Sequence, residues 1–581
     1  MKTNFNRFVF LGLLTFLFFL NCRSAKDSST PYPIHKSLIS EKAMVVTAHP
    51  LASTIGMDII RQGGNATDAA IAVHFALAVV YPRAGNIGGG GFMLFRDKKG
   101  NVDALDYREM APGAAHRDMY LDAKKNVIPG LSEDGHLSSG VPGSVEGMLS
   151  AFAKYSQLKN FNKLIQPAID LAEKGFVLSQ KDANTINDGR SLFLANNTTK
   201  PVLLKEIATG GKDTLWKAGD IFKQTDLANT LRLIRDKGRA GFYEGPTADK
   251  IVAEMKTGGG IITHEDLKNY RAVWRTPVHG TYKGYHLYSM PPPSSGGILL
   301  IQMLNMMEKY PLNEYGFHSA RAIHLITEAE RRAYADRAAY LGDIDYYPVP
   351  METLLDSQYA VQRMAGFNPA SVTPSSTLKE GVIQISNEST ETTHFSIVDA
   401  QGNAVSSTTT LNDNFGAKTV VAGAGFLLND EMDDFSSKPG VPNLYGAIGG
   451  EANAIVPRKR MLSSMTPTIV EKDGKLFMVL GTPGGTTIIT SVLQCFLNVA
   501  EFGMTMTQAL EAKRFHHQWV PDTTSIERDA FPVSARDSLV GRGHAFKDRG
   551  SIGLVEAILV MPDGRLEGAA DPRGEDSAEG W

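Results

Sequence analysis

The spacing of apolar residues predicts a β-hairpin in the last third of the chain. Phe395 and Ile397 point to one side of a strand while Ser396 points to the other, which is the two-residue period of β-structure. Residues 399–403 read Asp-Ala-Gln-Gly-Asn, a composition typical of a tight turn. The β-branched run 405–410 follows and predicts the returning strand.

Other stretches predict helices. Residues 69–80 are apolar on every face, so their helix belongs between layers of structure, with Thr67 or Asp68 as its cap. A longer helix begins at Ser319 and runs to Gly342, and its many charges predict structural ion pairs rather than a binding site. Between about residues 138 and 390 helices alternate with loops, and strand patterns occur elsewhere, so the pattern by itself supports only a mixed α/β class.

The N-terminus has the pattern of an export signal. Basic residues precede the apolar run 8–20, which is too short to span a bilayer but has the length of a signal-peptide core. Cys22 follows almost directly, as at the site where bacterial lipoproteins are cleaved and acylated. We expect residues 1–21 to be a signal peptide, Cys22 to be lipidated and residues 22–37 to form a tether in the periplasm. Secretion without a lipid is the alternative.

Composition narrows the range of partners. The chain carries 59 basic and 62 acidic residues, and no long basic run appears, so nucleic acid is not an expected partner. Its apolar content of 43% and charged content of 21% are ordinary for a globular protein. The two cysteines are Cys22 and Cys495, and acylation of the first would leave no pair for a disulfide.

Two adjacent threonines, Thr392 and Thr393, stand at the entrance of the predicted hairpin. A threonine hydroxyl is a weak nucleophile until a base removes its proton, and a chain that cuts itself before the threonine supplies that base as a free α-amino group. Such an amine titrates at about pH 7.7–8.0, so it can accept a proton at working pH. Ordinary β-propensity explains the same pair of residues, so other motifs must decide between the two interpretations.

Four motifs in a fixed order decide between them. They are a segment at the hairpin entrance, an acidic segment, a Ser-Ser segment and a Gly-Gly turn, at residues 392–399, 427–435, 462–467 and 481–485. Together they resemble the small subunit of the γ-glutamyltranspeptidases, also called glutathione hydrolases, and the resemblance covers nearly the whole chain after the first few dozen residues. It implies a four-layer αββα sandwich of the N-terminal-nucleophile hydrolase type, with two intertwined subunits.

The resemblance also implies that the chain processes itself. Scission between Glu391 and Thr392 would yield a large subunit of residues 38–391 and a small catalytic subunit of residues 392–581, which stay together as a heterodimer. Thr392 would then attack γ-glutamyl amides such as glutathione, and water, an amino acid or a dipeptide would accept the γ-glutamyl group. No cofactor is implied.

The resemblance assigns roles to further residues. An arginine fork suits a carboxylate, and amides at a helix start suit an oxyanion. By this resemblance, Thr410 would hydrogen-bond the nucleophile, and the amides of Gly484 and Gly485 would bind the oxyanion. The substrate carboxylate would be bound by Arg108, Ser463 and Ser464, and its ammonium by Asp434, Glu431 and Asn412. Tyr445, in a loop at 437–446, would close the pocket.

Two further motifs invite other chemistry. The glycine run 85–91 lacks the Gly-Lys-Ser/Thr of a phosphate-binding loop and leads into a strand-like segment, so close backbone packing explains it better. His516 and His517 are adjacent and point apart, and no third ligand is spaced nearby, so we expect no metal site.

Two alternatives to a γ-glutamyltranspeptidase stay open at this point. Another self-cleaving acylase of the same architecture, such as a cephalosporin acylase or a poly-γ-glutamate depolymerase, would share the nucleophile. A non-catalytic, lipid-tethered binding protein would keep the fold without cutting itself. Arg108, Asp434 and the Ser463-Ser464 pair favour a small γ-glutamyl group as the substrate.

Overall fold

Two seven-stranded antiparallel sheets pack face to face at the centre of the protein, and helices cover both outer faces. The computed structural model describes residues 30–205, 214–378, 392–438 and 450–581. This architecture is the four-layer αββα sandwich that the sequence resemblance implied, so the predicted fold class is confirmed.

The first sheet is built around the predicted hairpin. Phe395 lies opposite Ser407 in this hairpin, and residues 399–403 form the turn. In order across the sheet, the strands are Ser577–Gly580, Met44–Thr47, Thr393–Val398, Ala404–Thr410, Gly90–Arg96, Val102–Asp106 and Val273–Arg275.

The second sheet takes strands from the same two parts of the sequence. In order across it, the strands are Ser37–Ser40, Leu566–Ala570, Glu556–Val560, Lys475–Gly481, Thr468–Lys472, Tyr285–Ser289 and Val278–Tyr282. Each sheet therefore combines strands from before and after Thr392, and the apolar core between the sheets joins the two parts. Cutting the chain before Thr392 would not separate them.

Helices of the N-terminal half cover the outer face of the first sheet. They are Pro50–Arg61, Ala66–Val80, Ser144–Tyr155, Phe161–Lys174, Gln180–Asp188, Arg190–Ala195, Thr225–Lys237, Ala240–Tyr243, Gly245–Gly258 and His264–Asn269, and a two-stranded ribbon of Phe176–Val177 and Ile221–Phe222 lies beside them. All of Ala66–Val80 is buried, as its apolar pattern predicted. Its cap, however, is Asn65, which accepts a hydrogen bond from the Asp68 amide, so the predicted caps Thr67 and Asp68 were wrong.

A second helical layer covers the other sheet. It consists of Gly296–Met307, Leu312–Tyr315, Ala320–Tyr340, Met351–Leu355, Ser357–Arg363, Thr487–Ala500, Met506–Glu511 and Val533–Gly541, and a small sheet of Phe515–His516, Thr524–Glu527 and Phe546–Arg549 packs beside them. Short 3-10 turns lie at His136–Ser138, Glu431–Asp434 and Glu451–Asn453. The helix predicted from Ser319 is capped by that residue, and Glu328 pairs with Arg331 and Arg332 at 3.2 and 2.6 Å. The expected ion-pair network is confirmed.

The described part of the predicted tether packs against the body of the protein. The Lys36 ammonium donates to the carbonyl oxygens of Asp571, Gly574 and Asp576 at 2.7–3.0 Å. The Tyr32 hydroxyl accepts a hydrogen bond from the Val177 amide at 2.8 Å. Within the residues described, none of the helices combines the length and the apolar character that crossing a membrane requires.

Candidate active site

A cleft at the entrance of the central hairpin brings the predicted site residues together. It encloses about 300 Å³ of space, part of it open to solvent. Its lining consists of Arg108, Thr392, Thr410, Asn412, Glu431, Asp434, Ser463, Ser464, Met465, Gly485 and Ile488. Nine of the eleven predicted catalytic and binding residues are in this set. Gly484 is the neighbour of Gly485, whereas Tyr445 lies outside the described residues, as do Glu391 and Cys22 of the processing and lipidation predictions.

Thr392 immediately precedes the first strand of the hairpin, and 5% of its surface is exposed. Thr393 pairs with Thr409, so continuing this antiparallel register by one residue places Thr392 opposite Thr410. The Thr410 hydroxyl accepts a hydrogen bond from the Asn412 amide at 2.7 Å. The hairpin thus places both threonines and Asn412 at one end of the cleft.

The glycine run fixes the strand that carries Thr410. A Cβ atom on Gly89 would lie 2.1 Å from the carbonyl oxygen of Thr410, and one on Gly91 would lie 2.4 Å from that of Thr408. No side chain fits at such distances, so the run allows strand Gly90–Arg96 to approach the hairpin closely. The prediction of backbone packing rather than phosphate binding is confirmed by these contacts.

Arg108 forms the charged wall of the cleft. It follows strand Val102–Asp106, is 1% exposed, and donates to the carbonyl oxygen of Leu462 at 3.2 Å. Its guanidinium lies 2.5 Å from the Glu431 carboxylate and also binds Asp434 directly. The residues predicted for the two opposite charges of a substrate are therefore paired with each other in this structure.

Burial decides which of the neighbouring carboxyls holds a negative charge. It raises the pKa of Glu431 well above its usual range and that of Glu109, which lies 3.6 Å from Arg108, to about 8. Although burial opposes the charge on Arg108, the surrounding carboxyls raise its pKa, so the guanidinium stays protonated. Asp434 is the carboxyl of this group that solvent reaches, with 12% of its side chain exposed. We infer that Arg108 and Asp434 form the ion pair at the cleft surface.

The two serines are held by a turn from the second helical layer. The Ser463 carbonyl oxygen accepts hydrogen bonds from the amide and the hydroxyl of Ser295, both at 2.7 Å. Arg337 donates to the Ser464 hydroxyl at 3.0 Å and to the Ser295 hydroxyl at 2.9 Å. Sequence reasoning missed Arg337, because the helical pattern assigned its charge to the structural network and Ser464 lies 127 residues away.

The Gly-Gly turn contributes Gly485 to the lining of the same cleft as Arg108. Gly484 and Gly485 have φ angles of 141° and 57°, values that favour glycine, and helix Thr487–Ala500 begins directly after them. The Tyr334 hydroxyl donates to the carbonyl oxygen of Thr486. Among the described residues, neither glycine amide has a hydrogen-bond acceptor, and Gly485 lines the cleft.

Two apolar residues complete the lining and were not predicted. Met465 belongs to the Ser-Ser motif and Ile488 to the first turn of the helix after the glycines. The motif spacing placed Met465 near the site, but both residues read as ordinary core positions. They provide an apolar surface beside the charged wall, which suits the methylene groups of a ligand.

Comparison with known proteins gives a single family. The family model described as Gamma-glutamyltranspeptidase matches residues 52–581. A glutathione hydrolase proenzyme of Pseudomonas sp. (strain A14) is 49% identical over 543 residues, covering 92% of this chain and 93% of the relative. The glutathione hydrolase proenzyme of Escherichia coli (strain K12) is 46% identical over 538 residues, covering 92% and 91%.

A solved structure supports the same architecture. The cephalosporin acylase from Bacillus halodurans matches with a TM-score of 0.81 at 27% identity, over 95% of this chain and 98% of that one. The matches span almost the full length of these relatives, and the family model and the two glutathione hydrolase proenzymes agree with the four sequence motifs. The chain belongs to the γ-glutamyltranspeptidase family.

Proposed function

We propose that this chain is a self-processing γ-glutamyltransferase and glutathione hydrolase whose nucleophile is Thr392. One observation carries the proposal: a single cleft holds Thr392, a reachable Arg108–Asp434 ion pair and a turn with two amide donors. These are the groups that an amide of a γ-linked amino acid requires, since it presents a carboxylate, an ammonium and a carbonyl to be attacked.

Processing comes first in this proposal. The Thr392 hydroxyl attacks the carbonyl carbon of Glu391, the peptide C–N bond breaks, and the acyl group moves to the threonine oxygen as an ester. Water then hydrolyses the ester, which leaves a carboxylate on Glu391 and a free amine on Thr392. The products are a large subunit of residues 38–391 and a small subunit of residues 392–581, held together by the shared sheets.

The freed amine then serves as the base in turnover. It accepts the proton of the Thr392 hydroxyl while the oxygen attacks the γ-carbonyl carbon of the substrate. The oxyanion of the tetrahedral intermediate accepts hydrogen bonds from the amides of Gly484 and Gly485. The leaving amine takes the proton and departs, and water, an amino acid or a dipeptide resolves the γ-glutamyl ester.

Substrate binding exchanges one ion pair for two. The substrate carboxylate binds the Arg108 guanidinium and the hydroxyls of Ser463 and Ser464. The substrate ammonium binds Asp434, with Glu431 and Asn412 beside it. Because Arg108 and Asp434 compensate each other, neither of these two charges is unpaired before substrate binds. Each charge keeps a partner after binding, so a γ-glutamyl group is favoured over an acyl group with only one charge.

Export and lipidation complete the proposal. The N-terminal signal pattern and Cys22 support a periplasmic protein that is attached to a membrane through an acyl group. Intact mass spectrometry of the native protein tests this, because acylation of Cys22 adds the mass of the lipid to the fragment that carries the tether and the large subunit. The same fragment with no added mass would indicate plain secretion.

The decisive experiment compares Thr392→Ala with Thr393→Ala by intact mass spectrometry and γ-glutamyl-p-nitroanilide turnover. Wild type should give two fragments, one of which begins at Thr392, whereas Thr392→Ala should stay a single inactive chain. Thr393 is a matched control, since its buried hydroxyl has no hydrogen-bond partner among the described residues and alanine breaks no such contact. Scission before residue 392 in Thr392→Ala would contradict the proposal, as would an uncut active wild type.

A second candidate activity follows from the likeness to the cephalosporin acylase. A glutaryl amide keeps a carboxylate for Arg108 but has no ammonium for Asp434. We therefore expect kcat/KM for the γ-glutamyl anilide to exceed that for the glutaryl anilide by about tenfold or more, the effect of one charged hydrogen bond. A preference for the glutaryl compound would assign the chain to the acylases.

A further inference from the structure

A second cleft opens at the edge of the small sheet, away from the active site. Strands Thr524–Glu527 and Phe546–Arg549 run parallel, so their carboxyl ends meet at one edge. The cleft at this edge encloses about 750 Å³ of space, part of it open to solvent, and is lined by Lys513, Glu527, Arg528, Asp548, Arg549, Gly550, Ser551 and Arg573. Openings beyond the carboxyl ends of parallel strands are common ligand sites. None of these residues lines the active cleft.

The two carboxylates of this second cleft are engaged with other cations. Glu527 forms hydrogen bonds of 2.5 Å with Arg573 through both oxygens and also accepts the amide of Ile552. Asp548 lies 3.7 Å from Arg536, which is not part of the lining. Arg573 also donates hydrogen bonds to the carbonyl oxygens of Leu510 and Ala512. Glu527 and Arg573 therefore form a fixed part of the cleft wall, whereas Asp548 belongs to an exposed ion pair.

Three cations of the lining remain. In the part of the chain that the structure describes, Lys513, Arg528 and Arg549 have no ion pair or hydrogen-bond partner. Lys513 and Arg528 are exposed, and water satisfies them as on any charged surface. Arg549 differs because it is partly buried, and burial alone lowers the pKa of its guanidinium, with no carboxylate opposing the effect. A partly buried, unpaired guanidinium is costly, so its presence calls for an anion.

We propose that this second cleft binds a small phosphate-bearing anion, which the guanidinium groups of Arg549 and Arg528, the ammonium of Lys513 and the hydroxyl of Ser551 hold together. Three cations in the lining of one cleft match the charge of a phosphate dianion better than that of one carboxylate. The recess has the concave form that is usual for small-molecule sites, which favours a phosphorylated small molecule over a lipid surface.

Isothermal titration calorimetry with inorganic pyrophosphate and with glycerol 3-phosphate tests the proposal on the full-length processed protein. Wild type should show one saturable site that weakens as salt is added. Arg549→Gln should lower the affinity about tenfold or more, because it removes a charged bidentate contact, and Arg528→Gln should lower it by a smaller factor. Arg565→Gln is the matched control, since Arg565 is an exposed arginine that pairs with Asp563.

Three outcomes would overturn the proposal. They are no saturable binding of either phosphate compound at millimolar concentration, wild-type affinity in both Arg549→Gln and Arg528→Gln, and binding only to phosphatidylglycerol vesicles. Thermal melting checks whether Arg549→Gln folds. If it does not fold, Arg528→Gln still tests the proposal, because Arg528 is exposed. Turnover of γ-glutamyl-p-nitroanilide should stay at the wild-type level in both variants, so a failure here is separate from a failure of the proposed enzymatic function.

Discussion

Helices Ala66–Val80 and Ala320–Tyr340 are both buried, the first against the central hairpin and the second against helix Gly296–Met307, but by opposite chemistry. The first buries an apolar surface on every side. The second buries charged residues along its middle, including Glu328, Glu330 and Arg337. Apolar burial contributes to stability directly, at roughly 25 cal/mol per Å². Buried ion pairs contribute little net stability, because desolvation offsets most of the attraction.

Because its buried charges add little net stability, the charged helix has another role, which is to position residues of the active cleft. Arg337 holds the Ser464 hydroxyl on one wall of the cleft, and Tyr334 holds the Thr486 carbonyl beside the Gly-Gly turn on the other. The two donors, Tyr334 and Arg337, lie within one turn of the helix. Their hydrogen bonds are directional, so apolar packing could not replace them. The apolar helix stabilises the sandwich, and the charged helix positions the site.

Among substitutions in these two helices, the largest effect on turnover is expected from Arg337→Met, which keeps the length of the side chain but removes its donors to Ser464 and Ser295. Loss of a charged, buried hydrogen bond should raise KM and lower kcat/KM about tenfold to a hundredfold in an assay with γ-glutamyl-p-nitroanilide. Arg321→Met, an exposed position on the same helix, is the control and should leave both constants unchanged. Equal kinetics in the two variants would mean that the charged helix does not position Ser464.

The apolar helix should give the reverse result. Ala72 is fully buried, so Ala72→Leu overpacks the layer and should lower the free energy of unfolding by about 1–3 kcal/mol in denaturant titration. Because no side chain of this helix lines the cleft, kcat/KM of the folded enzyme should stay at the wild-type value. Ala545→Leu, at an exposed position, is the control for added volume. A large fall in kcat/KM without loss of stability would break the contrast between the helices.

Local patterns account for the parts of this structure that the sequence predicted. The hairpin, the glycine run and the buried apolar helix each follow from residues close together in the chain, where period and side-chain size decide the outcome. The motif resemblance supplied the cleft residues, including Arg108 and Asp434, which lie 326 positions apart. No periodicity connects such residues, so the resemblance was needed to place them together.

Contacts between distant side chains account for what was missed. The charges of Ala320–Tyr340 read as one network, and nothing in the sequence singled out Arg337 as the residue that reaches Ser464. The pairing of Arg108 with Asp434 was not predicted either, because the resemblance assigned each of them to an opposite charge on the bound substrate. The cap at Asn65 shows that several neighbouring polar residues compete for one position, and backbone geometry selects among them.

The smallest expected effect concerns the pH dependence of stability and Glu330, a buried carboxyl of the charged helix. Glu330 accepts a hydrogen bond from the His517 amide at 2.9 Å, and burial raises its pKa well above the usual value. A carboxyl with a raised folded pKa contributes its full stability below its unfolded pKa of about 4.5, and this contribution is lost as the pH rises through the folded value. The slope for one proton is at most about 1.4 kcal/mol per pH unit.

Glu330→Gln removes this titration while keeping an oxygen for the His517 amide. Wild type and variant should therefore melt at similar temperatures near pH 4.5, and the variant should become the more stable of the two as the pH rises. Glu352→Gln, at an exposed position, is the control and should give a constant offset in Tm. Parallel melting curves for Glu330→Gln and wild type at all pH values would show that the carboxyl is ionised in the folded protein. The charged helix would then hold a buried carboxylate beside Arg331. The attraction between Glu330 and Arg331 would then contribute more to the stability of the fold than the small net contribution expected of buried ion pairs.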